Sequence, residues 1–373
     1  MLQRLYAHNF RCLENFEFKL DGSSSALLIG RNGSGKSTIR QVLRLFQEIG
    51  RGTNRVGQLV QESDFALGRK GVPMRFELSV TLGTHAFNYT LALELPERFR
   101  ELRVLEEQLA VDGNVLYSRA HAQVTVRRDA TGLPEAQFNI DWHLVALTVI
   151  QDPAASGALG SFRDWLAGMV LLAPIPRLMS GDANGDTVEP DEDAGNLAEW
   201  LSGLLDRYPA AYASLSQHLQ QVMPDLADFR FEKTGKDAKS LLVRFKSPDA
   251  QFELPYAALS DGEKCFFLCA VLLSANECDG PLFAFWDEPD NYLSLDEVGQ
   301  FVLALRRGFK QSSGQILMTS HNEEAIRRFS NDNTWVMGRR SHLEPTVIRL
   351  LEELEPTPDL VQSLIAGELE PWR

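Results

Sequence analysis

The sequence predicts an α/β fold that carries an antiparallel β-subdomain and an inserted helical lobe, and three observations support this prediction. A short apolar strand at residues 26–29 runs into a glycine-rich turn and then a helix. A second apolar segment, at residues 282–286, ends in two carboxylates. Between them, residues 74–142 contain short segments that alternate with period two, which is typical of antiparallel strands with one buried face.

The remaining elements follow from local patterns, in chain order. Residues 2–10 and 16–20 read as strands, and a helix is predicted from about residue 36 to 49 with its apolar side chains on one face. Residues 159–225 read as helices, one of which follows Asn196, a residue type that favours helix N-caps. Strands are predicted again at 229–232, 241–246 and 282–286, mixed with helices to the end.

An acidic segment, Ser180–Gly195, interrupts the helical region and is predicted to be a mobile, solvated loop. A calcium loop is the alternative, because Asp182, Asn184, Asp186 and Asp193 fall near the ligand positions of such loops. Thr187 stands where a calcium loop needs glycine for its sharp turn, so we favour the solvated loop.

Composition excludes several classes of protein. The 373 residues carry a formal net charge of -14, which argues against coating nucleic acid or an anionic membrane through bulk charge, although a local basic patch is allowed. The longest apolar runs, such as residues 266–275, are shorter than the roughly 20 residues of a membrane span. The N-terminus lacks the pattern of a secretion signal, and the four cysteines form no CxxC pair. We therefore expect a cytoplasmic protein without a membrane segment.

The segment from Gly30 to Ser37 matches GxxxxGKS and lies between a strand and a helix, the context that supports a phosphate-binding loop. Its glycines let backbone N–H groups turn towards a phosphate, and the helix N-terminus adds partial positive charge. Lys36 is expected to reach the β- and γ-phosphates, and Ser37 to ligate Mg²⁺. The residues predicted to contact the nucleotide here are Asn32, Gly33, Ser34, Gly35, Lys36, Ser37 and Thr38.

The apolar segment at residues 282–286 ends in Asp287 and Glu288. We expect Asp287 to supply the second Mg²⁺ contact, beside Ser37, and Glu288 to polarise the water that attacks the γ-phosphate. Alone, such a pair is commonly a strand that ends in solvent. The phosphate loop upstream favours the catalytic interpretation.

The segment Leu259-Ser260-Asp261-Gly262-Glu263 precedes a helix that is apolar on nearly every side and is therefore predicted to be buried. It resembles the LSGGQ signature of ABC-type ATPases, and the phosphate loop, the signature and the Asp-Glu strand occur in that family's order. The resemblance implies a P-loop NTPase with ABC-ATPase head architecture, in which Ser260 and Gly262 contact the γ-phosphate bound by another subunit. Asp261 replaces the first glycine of the motif, as in the SMC and RecF-like branch.

Four further positions are assigned by the same resemblance. His321, in Thr319-Ser320-His321, corresponds to the switch histidine and would hydrogen-bond the γ-phosphate. Residues 289–293 occupy the D-loop position, with Ser294 where many relatives have Asp. Gln151 is the candidate Q-loop metal ligand, with Gln108 and Gln123 as competitors. Asn9-Phe10-Arg11 resembles the opening motif of SMC and RecF-like ATPases, and Arg11 either approaches the nucleotide or caps a strand.

The chain is thus expected to form one composite head, with an N-terminal lobe at 1–150, a helical lobe with connecting strands at 151–258 and a C-terminal lobe at 259–373. The insert between Lys36 and Ser260 consists of a sheet and helices, which disfavours both a transporter subunit and a long-armed SMC protein. The whole chain resembles the RecF/OLD-like "AAA family" ATPases common in prokaryotic defence operons.

Three functions are compatible with these motifs. The first is a Mg²⁺-dependent ATP-hydrolysing switch, in which a homodimer or higher oligomer sandwiches ATP and controls a separate effector such as a nuclease or toxin. The second is a RecF- or SMC-like ATPase that binds DNA directly in repair or chromosome maintenance. The third, a nucleotide-gated scaffold without hydrolysis, is disfavoured by the intact Glu288.

Overall fold

A computed structural model describes residues 1–127, 134–150, 157–354, 363 and 371–372 of the chain. The fold divides into two compact units. The first contains Met1–Ser23, Leu28–Met169 and Asn331–Arg373, and the second contains Ser24–Leu27 and Val170–Ser330. The mixture of sheets and helices confirms the predicted α/β class.

Most strands of the first unit precede residue 140. In chain order, the strands up to that point are β1 (Leu2–His8), β2 (Phe16–Lys19), β3 (Ser25–Ile29), β4 (Met74–Leu82), β5 (His85–Glu94), β6 (Arg103–Val111), β7 (Asn114–Ala120), β8 (Gln123–Arg127) and β9 (Pro134–Asn139). The helices of this unit are α1 (Lys36–Gly50), α2 (Val56–Leu59) and α3 (Ala158–Ala167).

An eight-stranded antiparallel sheet dominates the first unit, with the strand order β2-β1-β4-β5-β6-β7-β8-β9. Strand β4 shows why these residues form strands, since Met74, Phe76, Leu78 and Val80 are all buried while the residues between them are less so. The period-two pattern of the sequence is therefore the alternation between a core face and an outer face.

Helix α1 packs with its predicted apolar face inward. Ile39, Val42, Leu43 and Phe46 are all fully buried. The Phe46 ring meets the ring of Tyr89 on β5 edge to face, with 5.9 Å between centroids. This packing fixes the helix that follows the phosphate loop.

A buried carboxylate ties the loop after β9 to the same sheet. Glu107 is fully buried and accepts hydrogen bonds from the hydroxyls of Tyr89 and Tyr117 at 3.0 and 2.8 Å. Its oxygens also accept from the backbone N–H groups of residues 146 and 147, at 2.7 and 2.8 Å. The guanidinium of Arg119 lies 3.7 Å away. Such a satisfied network rigidifies its surroundings, here the segment that leads towards residue 150.

The second unit contains seven strands and five helices among its described residues. Its strands are β10 (Val170–Leu172), β11 (Asp182–Ala183), β12 (Leu226–Lys233), β13 (Lys239–Lys246), β14 (Gln251–Pro255), β15 (Phe283–Trp286) and β16 (Gln315–Thr319). Its helices are α4 (Leu197–Arg207), α5 (Ala211–Val222), α6 (Asp261–Cys278), α7 (Leu295–Gln311) and α8 (Glu323–Arg327).

Parallel strands form the centre of the second unit. Strands β10, β15 and β16 are parallel neighbours, and the first residues of β3 continue the order beyond β16. Strands β11, β13, β12 and β14 form a separate antiparallel sheet. Helix α6 is buried from Lys264 to Asn276, as its apolar composition predicts. The first unit is completed by β17 (Thr334–Gly338), which neighbours β3, and β18 (Val347–Leu350), antiparallel to β17.

Two local predictions for the second unit were wrong. Residues 170–172 form strand β10 and not a helix, because a short apolar run that is buried on both faces has no periodicity that distinguishes strand from helix. Asn196 precedes α4 without capping it, since its side chain accepts from Asp191 N and donates to Glu189 O instead.

The acidic segment at residues 180–195 is tied to its neighbours rather than loose. The Asp186 carboxylate pairs with Lys239 at 2.8 Å, and the Asp182 carboxylate accepts a hydrogen bond from Ser240. Asp193 accepts from Gly195 N within the loop. These three acids therefore have separate partners. Among the described residues, no group of three or more His, Cys, Asp or Glu side chains is placed to hold a metal ion.

No helix in the described part of the chain has the length and apolarity to cross a membrane.

Candidate functional site

The phosphate loop lies in the first unit, between β3 and α1. Gly30 has φ +155°, and a Cβ there would stand 2.2 Å from the carbonyl oxygen of Met337. Gly35, with φ +104°, immediately precedes α1, and a Cβ there would stand 2.8 Å from Thr346 Oγ1. A side chain at either position would therefore force the loop to move, which explains these glycines independently of any ligand.

Lys36 folds back over its own loop. The side chain is buried, and Nζ donates to the carbonyl oxygen of Gly30 at 2.7 Å. Ser37 is exposed at the start of α1, and Ser34 is buried with no hydrogen-bond partner for Oγ. The ammonium and the first turn of the helix thus offer positive charge and donors to an anion at this end of α1.

Thr346 holds the loop from the side of β18. Its hydroxyl donates to the carbonyl oxygen of Ser34 at 2.8 Å, and its backbone N–H donates to the carbonyl oxygen of Cys12 at 2.9 Å. The Cys12 thiol in turn lies 3.4 Å from Thr38 Oγ1. Sequence reasoning missed Thr346, because nothing in the local pattern around residue 346 indicates a contact with residue 34.

Arg11 lies on the turn after β1, next in the chain to Cys12. Its backbone has φ +52°, and its Nε donates to Asp64 Oδ1 at 2.9 Å. The Arg11 N–H also donates to the Asp64 carbonyl oxygen at 2.6 Å. Arg11 therefore fixes the turn to residue 64, and its side chain is still 44% exposed for a further contact.

In the second unit, contacts link the two carboxylates that follow β15 to polar residues at the end of β16 and just beyond it. The Thr319 hydroxyl donates to Asp287 Oδ1 at 2.5 Å and accepts from Glu288 N at 2.9 Å. His321 Nε2 lies 3.4 Å from Glu288 Oε1. Asn291 Nδ2 donates to Glu288 Oε2 at 2.7 Å. The two candidate catalytic side chains, Glu288 and His321, therefore lie in contact.

Asp290 and Ser320 add a buried pair that sequence reasoning did not identify. The Ser320 hydroxyl donates to Asp290 Oδ2 at 3.0 Å, while Asp290 Oδ1 is buried without a partner. Burial raises the pKa of the Asp290 carboxyl from its ordinary 3.8 to about 6, although the Ser320 hydrogen bond opposes the shift. The pair fixes the start of the D-loop segment to the residue that precedes His321.

We expect Asp290→Asn to stabilise the protein at pH 8. The folded pKa lies above the unfolded one, so this group stabilises the fold fully below pH 3.8, and that contribution is lost as pH rises to about 6. At pH 8 the neutral amide avoids a buried charge, a gain on the order of 1–3 kcal/mol. Chemical unfolding at pH 8 and pH 3.5 is the measurement, and an equal effect at both pH values would contradict the assigned shift.

The signature segment caps α6. Ser260 Oγ accepts from Glu263 N at 3.3 Å, and Glu263 Oε2 accepts from Ser260 N at 2.8 Å, which completes a capping box. Ser260 and Asp261 are exposed although most of the helix behind them is buried. A Cβ at Gly262 would lie 3.0 Å from the Tyr292 carbonyl oxygen, so this glycine touches the D-loop of its own chain.

The predicted site residues are therefore distributed over both units. The first holds Arg11 and the phosphate loop, and the second holds the signature, Asp287, Glu288 and His321. Gln151 lies outside the described residues. Its competitors Gln108 and Gln123 lie in strands β6 and β8 of the antiparallel sheet. An exposed hydroxyl at Ser37 and a carboxylate at Asp287 are oxygen ligands of the type that suits Mg²⁺.

Comparison with known proteins identifies the family. Residues 25–327 match the family model described as "AAA domain, putative AbiEii toxin, Type IV TA system". An SMC head bound to the C-winged helix domain of ScpA is 14% identical, with a TM-score of 0.54 over 94% of this chain and 98% of that chain.

An SMC head domain with an extended coiled coil from Pyrococcus furiosus, bound to the C-terminal domain of ScpA, is 12% identical, with a TM-score of 0.51 over 99% of both chains. A search of curated proteins gave no significant match. At these identities the structural matches show a shared fold.

Proposed function

Because this chain belongs to the AAA-domain family whose model describes a putative AbiEii toxin of a type IV toxin–antitoxin system, we propose that it is an ATP-hydrolysing switch that works as an assembly of two or more subunits. It is an ABC-type, SMC-like AAA ATPase by family and fold. The observation that carries the proposal of hydrolysis is the contact of Glu288 with His321, next to the Asp287–Thr319 pair.

In the proposed hydrolysis, different residues of this chain bind the nucleotide, hold the metal ion and accept the proton. The loop amides and Lys36 bind the nucleotide phosphates, and Lys36 exchanges its contact with the Gly30 carbonyl oxygen for a phosphate oxygen. When bound, Mg²⁺ would neutralise phosphate charge, with Ser37 and Asp287 as its protein ligands. Glu288 accepts a proton from the attacking water.

His321 and Asn291 orient the Glu288 carboxylate from two sides. The Glu288 backbone lies at φ +50°, a conformation that is uncommon for a residue with a side chain. Hydrogen bonding of its N–H to Thr319 Oγ1 holds it there. Because several contacts fix both the backbone and the carboxylate of Glu288, the side chain keeps one orientation, as proton transfer requires.

Sharing of the site between subunits is supported by the exposure of the signature. Ser260 and Asp261 present a helix N-terminus to solvent, where its partial positive charge suits the γ-phosphate of a nucleotide bound by another copy. The target of the proposed switch is a separate effector, and the family description links the domain to a type IV toxin–antitoxin system. Stimulation of hydrolysis by duplex DNA would favour the DNA-binding alternative instead.

Mixing two inactive variants tests this sharing. We expect Ser260→Arg to bind ATP without hydrolysing it, and Lys36→Ala not to bind ATP, whereas an equal mixture regains about a quarter of the wild-type sites on symmetry grounds. Half of the dimers are then mixed, and half of their sites are intact. Steady-state phosphate release is the measurement. Ser260 is preferable to Gly262 because a side chain at Gly262 would press on Tyr292 of the same chain.

Each variant alone is the control for hydrolysis. The thermal unfolding midpoint of each variant is also measured, since Ser260→Arg loses a helix cap worth about 1 kcal/mol. No recovery from a mixture whose subunits demonstrably exchange would contradict a signature that acts on the nucleotide of another subunit.

A further inference from the structure

Glu288 and His321 lie on two different loops, and a buried hydrogen bond joins these loops beside the two side chains. Glu288 lies in the loop after β15, and His321 follows the end of β16. The Ser320 hydroxyl donates to Asp290 Oδ2 at 3.0 Å. The residue before His321 is therefore tied to the residue two positions after Glu288. All four residues belong to the second unit.

Ser320 also restrains the chain on the other side of His321. Its Oγ accepts a hydrogen bond from Asn322 N at 2.9 Å, so one side chain spans the backbone before and after the histidine. Asn322 Oδ1 in turn accepts from Glu324 N at 2.9 Å, at the start of α8. The His321 backbone therefore lies between two anchored residues, which limits how far its imidazole can move from Glu288.

These contacts close a ring that includes both candidate catalytic side chains. From Glu288 the chain passes through Pro289, whose own ring fixes φ, to Asp290. Asp290 accepts from Ser320, the residue next to His321. His321 Nε2 then returns to Glu288 Oε1 at 3.4 Å. Removal of the carboxyl at position 290 would open this ring and leave both candidate catalytic side chains in place.

Stability does not account for a carboxyl at position 290. Asp290 is 6% exposed, and its Oδ1 has no hydrogen-bond partner among the described residues. Burial raises the pKa of this carboxyl to about 6, because its charged form loses contact with water. A buried polar atom without a partner lowers the stability of the fold. Side chains that carry such a cost are concentrated at functional sites.

We propose that Asp290 is a positioning residue for hydrolysis, which acts through Ser320 to hold His321 in contact with Glu288. This inference rests on the proposed ATPase activity. Asp290 itself neither takes a proton from the attacking water nor binds phosphate. Its loss is expected to slow the chemical step, while ATP binding, which depends on the phosphate loop, changes little.

A double-mutant cycle tests the route through His321. Asp290→Ala should lower kcat about 10- to 100-fold with little change in KM, because a displaced catalytic group slows chemistry more than binding. In a His321→Ala background, the same substitution should lower kcat by less than about twofold, since the side chain that Asp290 positions is absent. Single-turnover phosphate release follows the slow variants. Equal losses in both backgrounds would overturn the proposal.

Two further variants keep the test informative if Asp290→Ala destabilises the fold. Ser320→Ala removes the other partner and should lower kcat to a similar extent. Asp290→Asn keeps an acceptor oxygen for Ser320 and should hydrolyse ATP faster than Asp290→Ala; equally slow variants would contradict the role of that acceptor. Asp249→Ala is the matched control, because this exposed acid between β13 and β14 changes the net charge equally.

Hydrogen exchange distinguishes failure of this inference from failure of the proposed function, because it requires no hydrolysis. The Asn322 amide should exchange about 5- to 10-fold faster in Asp290→Ala than in the wild type or Asp249→Ala, since Ser320 Oγ loses its anchor. Mass spectrometry of peptides that span residues 320–324 is the measurement. A wild type that does not hydrolyse ATP would refute the proposed function. Unchanged exchange at Asn322 would overturn the positioning role alone.

Discussion

Glu288→Gln is expected to slow ATP hydrolysis by roughly 10²–10⁴-fold, the usual contribution of a positioned general base, while ATP binding stays intact. The amide keeps the size of the side chain and one acceptor oxygen for Asn291, but it cannot take a proton from water. Single-turnover phosphate release measures the chemical step, and titration with a fluorescent ATP analogue measures binding.

Glu323→Gln is the matched control, because Glu323 is an exposed residue of α8 whose partner is Arg327 at 3.8 Å. If Glu288→Gln and Glu323→Gln hydrolyse ATP at the same rate, Glu288 is not the base. The slow variant should also hold ATP in the assembled form, so light scattering should report larger particles with ATP than with ADP.

Removing the ammonium of Lys36 is expected to weaken ATP binding about 100-fold or more, because charge-assisted contacts with two phosphates are lost. Lys36→Met is the better substitution, since it retains most of the buried side-chain volume and leaves no large cavity next to Gly30. Equilibrium titration with the fluorescent ATP analogue is the measurement.

Lys310→Met, at an exposed position in the last turn of α7, controls for the loss of one charge. The thermal unfolding midpoint of each variant shows whether the substitution affects the phosphate loop alone or destabilises the whole fold. Undiminished ATP affinity in a folded Lys36→Met protein would refute the assignment of the phosphate loop.

Local sequence patterns predict the parts of this fold that depend on local periodicity. The alternation along β4 and the apolar face of α1 are visible in the sequence, because burial on one face imposes a period of two or 3.6 residues. The phosphate loop is visible for a similar reason, since its glycines, lysine and serine are adjacent in the chain. The prediction failed at β10, whose three residues are buried on both faces.

Local patterns do not predict contacts between residues that are far apart in the chain. Thr346 meets a carbonyl oxygen 312 positions earlier in the chain, and Ser320 meets Asp290 only because β15 and β16 are neighbouring parallel strands. The roles of Thr346, Ser320 and Asp290 could therefore be recognised only from the folded structure.

The central claim, hydrolysis of ATP by sites that two subunits share, is tested most directly by the ATPase rate per subunit over a range of protein concentrations. Sedimentation under the same conditions gives the fraction of subunits in dimers or larger assemblies. The proposed switch predicts that the rate per subunit rises in proportion to that fraction and vanishes on dilution to monomers. A monomer that hydrolyses ATP at the full rate, or an assembled protein that does not hydrolyse ATP, would contradict it.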